Sequence, residues 1–571
     1  MRLLKISLFF FSIVTLAQNK LVTPYETGNG NQTTTYEQCI AFYQKLDAAF
    51  PTIQMIEKGK TDSGKSLHLV LFSADANFES TSNKTVILIN NGIHPGEPDG
   101  IDATMMLLRD LATGRVKAPK NVLFAAIPVY NIGGMLNRNS HSRANQNGPE
   151  AYGFRGNARN FDLNRDFIKS DSKNSRSFQA IFSELQPDIF LDNHVSNGAD
   201  YQYTFTCIAT QHERLGGALG EFFINEMYPE MVKDMQKKKI DVVPYVNVYG
   251  TTPEKNGFNQ FPDTPRYATG YTTLFNTLGF VPETHMLKAY NERVKVTYEF
   301  MVSAISYAEK NHAKIKSVRG AAATTYKAGD SYPIDWAIDS SKVSYIDFKG
   351  FEAGYKPSDV SGKNRLYYDR SRPFTKKIPF YGKYKATQFV TVPKAYIVPQ
   401  SQWPVLDILL LNKMEYSQLK KDTIIEVETY KIAQYETSKS PYEGHYGHYN
   451  TKVNRQTEKI QFFTGDYVFS TEQKGMKYLL ETLEPEAVDS YFNWNFFDAI
   501  LQQKEYFSSY VFEDLAKEFL DKNPKIKAEL EQKKQEDKKF AENGAAQLDW
   551  VYKKSPHYEK AHLLYPVFKL F

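Results

Sequence analysis

A histidine and a glutamate stand three residues apart in the segment NNGIHPGEPDG, as His94 and Glu97. Imidazole and carboxylate groups are both zinc ligands, and a hydrolytic zinc site uses three protein ligands with one position left open for water. The third ligand must come from a distant part of the chain, and His194, at the end of the segment PDIFLDNH, is the candidate. Because His-x-x-Glu alone is a weak pattern, the prediction of a zinc site depends on both histidines following apolar runs.

Arginine and asparagine are concentrated between the two histidines, in the segment FRGNARNFDLNRDF, residues 154–167. Guanidinium groups bind carboxylates through two parallel hydrogen bonds and stabilise a developing oxyanion, and asparagine adds a neutral donor. A single arginine is usually a surface charge. A cluster beside a metal instead predicts a site that favours a substrate with a free carboxylate.

Peptide hydrolysis also needs a base that takes a proton from water and an acid that returns it to the leaving amine. One carboxylate beside zinc can do both. Glu283, near the end of the segment TTLFNTLGFVPETH, is the candidate. Glu292, on the following helical segment, is interpreted as a solvent-facing side chain.

Apolar runs predict the elements that position these side chains. KTVILINN, NVLFAAIPVYN and PDIFLDNHVS are typical of buried strands, and DGIDATMMLLRDLATG is typical of a helix. Their alternation predicts an α/β domain with a mixed, mostly parallel sheet flanked by helices. Functional residues of such sheets lie at the carboxyl ends of strands, where His94, His194 and Glu283 are expected. A helix from Lys288 to about His312 is expected to close the domain.

The combination of HPGE, DLNRDF, a distal DNH and a later strand glutamate resembles the zinc metallocarboxypeptidases related to carboxypeptidase A, over roughly residues 30–312. The resemblance implies an eight-stranded mixed sheet and one zinc per chain, bound by His94, Glu97 and His194. The resemblance also implies that Arg155 polarises the scissile carbonyl and that Asn164 and Arg165 bind the substrate's terminal carboxylate. It implies that Asp162 orients His94 and that Glu283 is the base and acid acting on zinc-bound water. Tyr267, or as a second choice Tyr271, is implied to close over the substrate.

The implied function is an exported zinc carboxypeptidase that removes C-terminal residues from peptides. A zinc amidase acting on cell-wall peptides or other acylated substrates is the alternative on the same scaffold. A non-catalytic binding module is the third hypothesis, but it predicts a missing ligand or base, and none is missing. The preferred C-terminal side chain is not predicted, because the spacing from Tyr267 to Glu283 is shorter than in the digestive enzymes.

The chain is predicted to have three parts. Residues 1–17 have a basic start, an apolar run and small residues at its end, which predicts a cleaved signal peptide and a secreted or periplasmic location. No later segment has the roughly 20 apolar residues of a membrane span, so no membrane anchor is expected. A catalytic domain is expected over 18–315, and a smaller C-terminal α+β region over 316–571. That region resembles extensions of large bacterial members of the family, and covering the cleft, binding a polymer and stabilising the enzyme are all open roles.

The remaining features favour ordinary structural roles. A formal net charge of +5 on 571 residues does not indicate a nucleic-acid partner. The two cysteines, Cys39 and Cys207, are predicted to be buried thiols, with a single bridge as the alternative. HERLGG lacks the second histidine of a helical zinc motif, and EGHYGHY, with His445 and His448, is interpreted as an aromatic-rich loop.

Overall fold

The computed structural model describes residues 21–80 and 83–571. The predicted signal peptide, residues 1–17, lies outside the described residues. Within the described part of the chain, no helix is both long enough and apolar enough to cross a membrane.

A nine-stranded mixed sheet forms the centre of the first half of the chain, in the order β1-β2-β4-β3-β5-β10-β7-β8, with β6 also paired to β10. Only Asn193 separates β5 from β6, so these two short strands together occupy one strand position. Counted in this way, the sheet has the eight strand positions that were expected. The neighbours β3–β4, β3–β5, β5–β10, β6–β10 and β7–β8 are parallel, which confirms the mostly parallel arrangement. The strands are β1 Ile53–Lys60, β2 Ser66–Phe72, β3 Thr85–Asn90, β4 Val122–Ile127, β5 Ile189–Asp192, β6 His194–Ser196, β7 Phe205–Ala209, β8 Val242–Pro244 and β10 Leu278–His285, while β9, Phe258–Asn259, belongs to another sheet.

Helices cover both faces of this sheet. The helices in this half of the chain are α1 Pro24–Thr27, α2 Tyr36–Ala49, α3 Asp99–Ala112, α4 Ile132–Leu136, α5 Lys173–Leu185, α6 His212–Leu215, α7 Gly217–Phe222, α8 Tyr228–Lys237, α9 Pro253–Asn256, α10 Ala268–Thr273 and α11 Tyr290–Ala322. The closing helix α11 continues to Ala322, past the predicted end at His312. Residue 315, the predicted domain boundary, therefore lies inside a helix.

The second half is an α+β region, as predicted. It contains a two-stranded sheet, β11-β14, a three-stranded sheet, β12-β13-β9, and a six-stranded sheet, β16-β19-β15-β20-β17-β18. The strands are β11 Ser331–Ile338, β12 Ser344–Pro357, β13 Asn364–Tyr381, β14 Tyr384–Thr391, β15 Ala395–Val398, β16 Ser417–Gln418, β17 Thr423–Thr437, β18 His448–Phe462, β19 Tyr467–Ser470 and β20 Phe568–Leu570. The helices are α12 Trp403–Leu411, α13 Met476–Leu483, α14 Ser509–Lys522, α15 Pro524–Glu536, α16 Lys538–Ala541 and α17 Gly544–Lys554.

The hydrophobic core joins the two halves. Successive strand residues point to opposite faces, so Ile87 and Ile89 of β3 pack on one side of the sheet, among residues of α3 and α11. Val86 and Leu88 pack on the other side in a cluster that also contains Leu406 of α12 and many other buried residues of the C-terminal region. The C-terminal region therefore covers one face of the central sheet and shares its core. Cys39 and Cys207 are free and buried, as predicted.

Candidate active site

The three predicted metal ligands meet at the carboxyl ends of neighbouring strands. His94 and Glu97 lie in the turn between β3 and α3, and His194 begins β6. One ligand atom from each of these side chains lies within 4.8 Å of the other two, and all three residues are buried. The two imidazole rings are 5.0 Å apart between centroids. The parallel sheet brings His94 and His194 together although they are a hundred residues apart in sequence.

A carboxylate orients each histidine from behind. The Nε2 atom of His94 is 2.8 Å from Asp162 Oδ1, and the Nε2 atom of His194 is 3.0 Å from Asp192 Oδ2. Such hydrogen bonds fix the ring orientation and make the remaining nitrogen a better metal ligand. Asp192 is not among the residues predicted from the sequence, although alternation along a strand directs residues two apart to the same face.

The residues fit a zinc ion. The Nδ1 atom of His94 is buried and has no hydrogen-bond partner among the described residues, and the Nδ1 atom of His194 is 3.1 Å from Glu97 Oε2. Two imidazole nitrogens and one carboxylate therefore face a common centre, a donor set typical of catalytic zinc. Burial raises the pKa of Glu97, but Arg143 and the two histidines outweigh burial and hold the pKa well below its ordinary value. Glu97 is therefore anionic, as a ligand must be.

Arg143 is a second site residue that the sequence analysis did not single out. Its Nη1 atom is 2.9 Å from Glu97 Oε1, on the side away from His194. A Cβ atom on Gly96 would lie 2.5 Å from the Arg143 side chain, so glycine at this position of the HPGE turn makes room for the guanidinium stem. The turn thus positions two candidate metal ligands, His94 and Glu97, and leaves space for the Arg143 guanidinium beside them.

Glu283 lies in β10 directly opposite His194 of β6 and lines the same cavity as the ligands. Burial raises its pKa to about 8, with Glu97 and Asp192 adding to the effect and His194 and Arg155 opposing it. A divalent cation beside Glu283 would oppose that rise, because it favours the ionised carboxylate. Glu283 is thus a carboxylate whose proton affinity is tuned within the range useful to a general base.

The predicted carboxylate-binding residues, Asn164 and Arg165, line the same cavity. Arg165 ends a short 3₁₀ helix that Asp162 caps, since the Asn164 backbone N–H donates to Asp162 Oδ1 at 2.9 Å. The guanidinium of Arg165 lies 4.6 Å from the centroid of the Tyr267 ring. Arg155 lies between the two groups of residues, with its Nε donating to Asp162 Oδ2 at 2.9 Å and its Nη1 3.5 Å from Glu97 Oε1.

One cavity of about 570 Å³ contains nearly all of these side chains. Its walls include His94, Glu97, Arg143, Arg155, Asn164, Arg165, His194, Tyr245, Tyr249, Asp263, Tyr267 and Glu283. Asp263, which the sequence analysis missed, is almost completely buried, and its Oδ2 atom has no hydrogen-bond partner within the part of the chain described. Burial, opposed by Arg214, raises the pKa of Asp263 to about 7.

Several other tyrosine and histidine side chains are not among the residues that line the cavity. Tyr271, the second choice for the closing tyrosine, is fully buried and donates its hydroxyl hydrogen to Asn412 of the C-terminal region. His285 is buried, stacks on Tyr201 and contacts Asp200 at 3.1 Å. His445 and His448 contact Asp171 and Asp498 respectively, so each has its own carboxylate partner.

A cavity in which a His-Glu-His cluster, a buried glutamate and clustered guanidinium groups meet defines a metal-dependent hydrolase site. The sequence pattern of the zinc carboxypeptidase family, Peptidase_M14, matches residues 39–348, more than half of the chain. The protein belongs to this family and is a metallocarboxypeptidase.

The chain is similar to two fungal proteins. It is 21% identical to carboxypeptidase 2 of Trichophyton rubrum over 463 residues, covering 76% of this chain and 78% of that protein. It is 22% identical to carboxypeptidase 2 of Trichophyton equinum over 454 residues, with the same coverage of both chains.

Solved structures resemble it more distantly. Carboxypeptidase A from Helicoverpa armigera is 15% identical over 52% of this chain and 75% of its own, with a TM-score of 0.37. A metallo-carboxypeptidase from Burkholderia cenocepacia is also 15% identical, over 48% of this chain and 70% of its own, with a TM-score of 0.36.

Proposed function

We propose that the protein is an exported zinc carboxypeptidase that releases single C-terminal residues from peptides and holds one zinc per chain at His94, Glu97 and His194. The observation that carries the proposal is the single cavity that joins this cluster to Glu283, Asn164 and Arg165. Because the full set of ligands and a base is present, a non-catalytic binding module is disfavoured.

Bound zinc supplies Lewis acidity, which polarises the scissile carbonyl and makes water more acidic. A carboxylate of Glu283 takes one proton from the attacking water as the new C–O bond forms at the carbonyl carbon. It then returns that proton to the peptide nitrogen as the C–N bond breaks. Arg155, beside Glu97, is the donor that stabilises negative charge on the carbonyl oxygen.

The substrate's terminal carboxylate is proposed to bind at Arg165, with Asn164 as a second donor. A guanidinium binds a carboxylate through charge-assisted hydrogen bonds. The pKa of Arg165 is raised: burial lowers it, but Asp162, Tyr267 and Tyr442 outweigh burial. A substrate contacts both Arg165 and the zinc site only when the residue between them carries a free carboxylate. The distance between Arg165 and the zinc site therefore selects the last peptide bond for cleavage. Tyr267 covers the same end of the cavity.

Mass spectrometry of the products tests this proposal. Incubation with an unblocked peptide should release single C-terminal amino acids, and removal of metal with a chelator should stop the release until zinc is restored. Products of internal cleavage alone would contradict the proposal and favour the amidase that shares its scaffold. Secretion is tested separately by N-terminal sequencing of the exported protein, which should begin near residue 18.

A further inference from the structure

The β17–β18 hairpin of the C-terminal region contacts a segment that lines the catalytic cavity. It ends in a tight turn, Tyr442–His445, called the hairpin tip here, in which Tyr442 and His445 exchange backbone hydrogen bonds of 2.8 and 3.1 Å. This tip lies against the segment Asp162–Arg165, which carries the predicted carboxylate-binding pair.

The carboxylate of Glu443 binds the backbone at the start of the segment Asp162–Arg165. Its Oε2 atom accepts a hydrogen bond of 2.8 Å from the backbone N–H of Asp162. Glu443 has a φ angle of 50°, and Gly444 follows with a φ of 82°. A non-glycine residue in this left-handed region costs about 1 kcal/mol or more. Asparagine followed by glycine is the usual sequence of such a turn, so glutamate occupies a position that turn geometry alone does not favour.

The side chain of Tyr442 adds to the electrostatic surroundings of Arg165. Burial lowers the pKa of Arg165, but Asp162, Tyr267 and Tyr442 together raise it above its ordinary value, and the Tyr442 ring lies 5.8 Å from the guanidinium of the neighbouring Arg266. The Tyr267 ring lies 4.6 Å from the same guanidinium. Arg165 therefore lies against an aromatic ring of the catalytic domain, and a phenol of the C-terminal region adds to its electrostatic surroundings.

Two more residues of the C-terminal region contact Arg266, the residue that precedes Tyr267. The carboxylate of Asp489 accepts hydrogen bonds from the backbone N–H and the Nε of Arg266, at 2.9 and 2.7 Å. The Trp494 ring lies 5.0 Å from the Arg266 guanidinium and stacks on Tyr442. The C-terminal region thus contacts both segments that form the carboxylate-binding end of the cavity.

We propose that the C-terminal region is a working part of the active site, in which Tyr442 and Glu443 are positioning residues that hold Arg165 and its segment ready for the substrate's terminal carboxylate. This inference rests on the proposed carboxypeptidase function. An arginine side chain loses rotamer freedom when it binds, and prior ordering removes part of that cost. Glu443 contacts the Asp162 backbone and not the Asp162 carboxylate that contacts His94, Tyr442 interacts electrostatically with Arg165, and no contact joins the hairpin tip to Glu283 among the residues described. Its effect should therefore appear in substrate binding more than in chemistry.

The test is steady-state kinetics of the full-length zinc enzyme on one peptide, supplied as the free acid and as the C-terminal amide. Tyr442→Phe removes only the hydroxyl and should raise KM for the free acid by about three- to tenfold, the range of one ordinary net hydrogen-bond contribution. The kcat value should change less than twofold, and cleavage of the amide should not change. Glu443→Ala should act in the same direction, and Glu443→Gln, which keeps an acceptor for the Asp162 N–H, should restore most of the loss.

Tyr446→Phe is the matched control, because Tyr446 lies next to the hairpin tip and its side chain is half exposed. It should behave like the unmodified enzyme. An unchanged free-acid KM in both Tyr442→Phe and Glu443→Ala would overturn the inference. So would an equal loss on both peptides accompanied by a lower Tm, which indicates a structural role alone. If the unmodified enzyme itself does not prefer the free acid, the proposed function fails first, and that result is seen before any variant is made.

Discussion

The three proposed metal ligands lie at the ends of strands in the central sheet, whereas the proposed carboxylate-binding residues lie on a segment that the C-terminal region contacts. His94 and His194 are oriented by Asp162 and Asp192, and Glu97 contacts Arg143, all within the first half of the chain. The segment of Arg165, by contrast, also contacts Glu443, from a hairpin nearly three hundred residues later in the chain.

Bond cleavage and choice of the substrate end therefore depend on different regions of the same site. Bond cleavage requires ligands held within fractions of an ångström, which a buried parallel sheet provides. Choice of substrate end requires a cation at a set distance from the metal, and that cation lies on an irregular segment supported by the second half of the chain. We therefore expect substitutions near the sheet to affect metal and turnover, and substitutions near the hairpin to affect recognition.

The largest effect is expected for His194→Ala. Loss of one of three ligands should remove most of the zinc and with it the hydrolytic activity, since a catalytic zinc site requires three protein ligands. Metal analysis of purified protein measures this directly. The unmodified protein should contain about one zinc per chain, and an equal zinc content in the variant would show that His194 is not a ligand.

Glu283→Gln should leave zinc bound and lower kcat. The amide keeps the shape of the side chain but cannot accept the proton, and general acid–base catalysis contributes about a hundredfold to ten-thousandfold. Turnover measured beside zinc content separates this variant from His194→Ala. Near-normal turnover would remove Glu283 from the mechanism.

Asp192→Asn should weaken metal binding without abolishing it. Removing a carboxylate that orients a ligating histidine costs about ten- to a hundredfold in metal affinity or activity. A competition titration with a zinc chelator gives the affinity. If Asp192→Asn bound zinc as tightly as the unmodified protein, orientation of His194 would have to come from the sheet alone.

Asp263→Asn should change the pH dependence of stability. The pKa of Asp263 is raised to about 7 in the folded protein from an ordinary 3.8, so the folded state holds an extra proton between these values. Stability from this group is present below pH 3.8 and is lost as pH rises through 7, by an amount on the order of 4 kcal/mol. Asparagine does not titrate. The Tm of Asp263→Asn relative to the unmodified protein should therefore be higher at pH 8 than at pH 5, and a constant difference would contradict the raised pKa.

The sequence predicts the sheet half of the site well, because apolar runs mark buried strands and polar residues at their ends must meet at one edge. His94, His194 and Glu283 follow from that rule. Asp192 was within reach of the same rule but was overlooked. Asp263 and the hairpin tip were not predictable, because nothing local in SPYEGHYG indicates that Tyr442 and Glu443 contact a segment so distant in the chain. The end of α11 at Ala322 was also missed, since helical periodicity weakens after a non-helical residue at Asn311.

Specificity constants for one peptide as its free acid and as its amide, measured for the unmodified protein and for Arg165→Ala, test the central claim most directly. A hydrogen bond to a charged group contributes about 1.5–3 kcal/mol, so the unmodified protein should cleave the free acid at least about tenfold faster. Arg165→Ala should lose most of that preference by cleaving the free acid more slowly. Equal rates on both peptides for the unmodified protein, or an undiminished preference in Arg165→Ala, would contradict the assignment of Arg165 as the group that binds the substrate's terminal carboxylate.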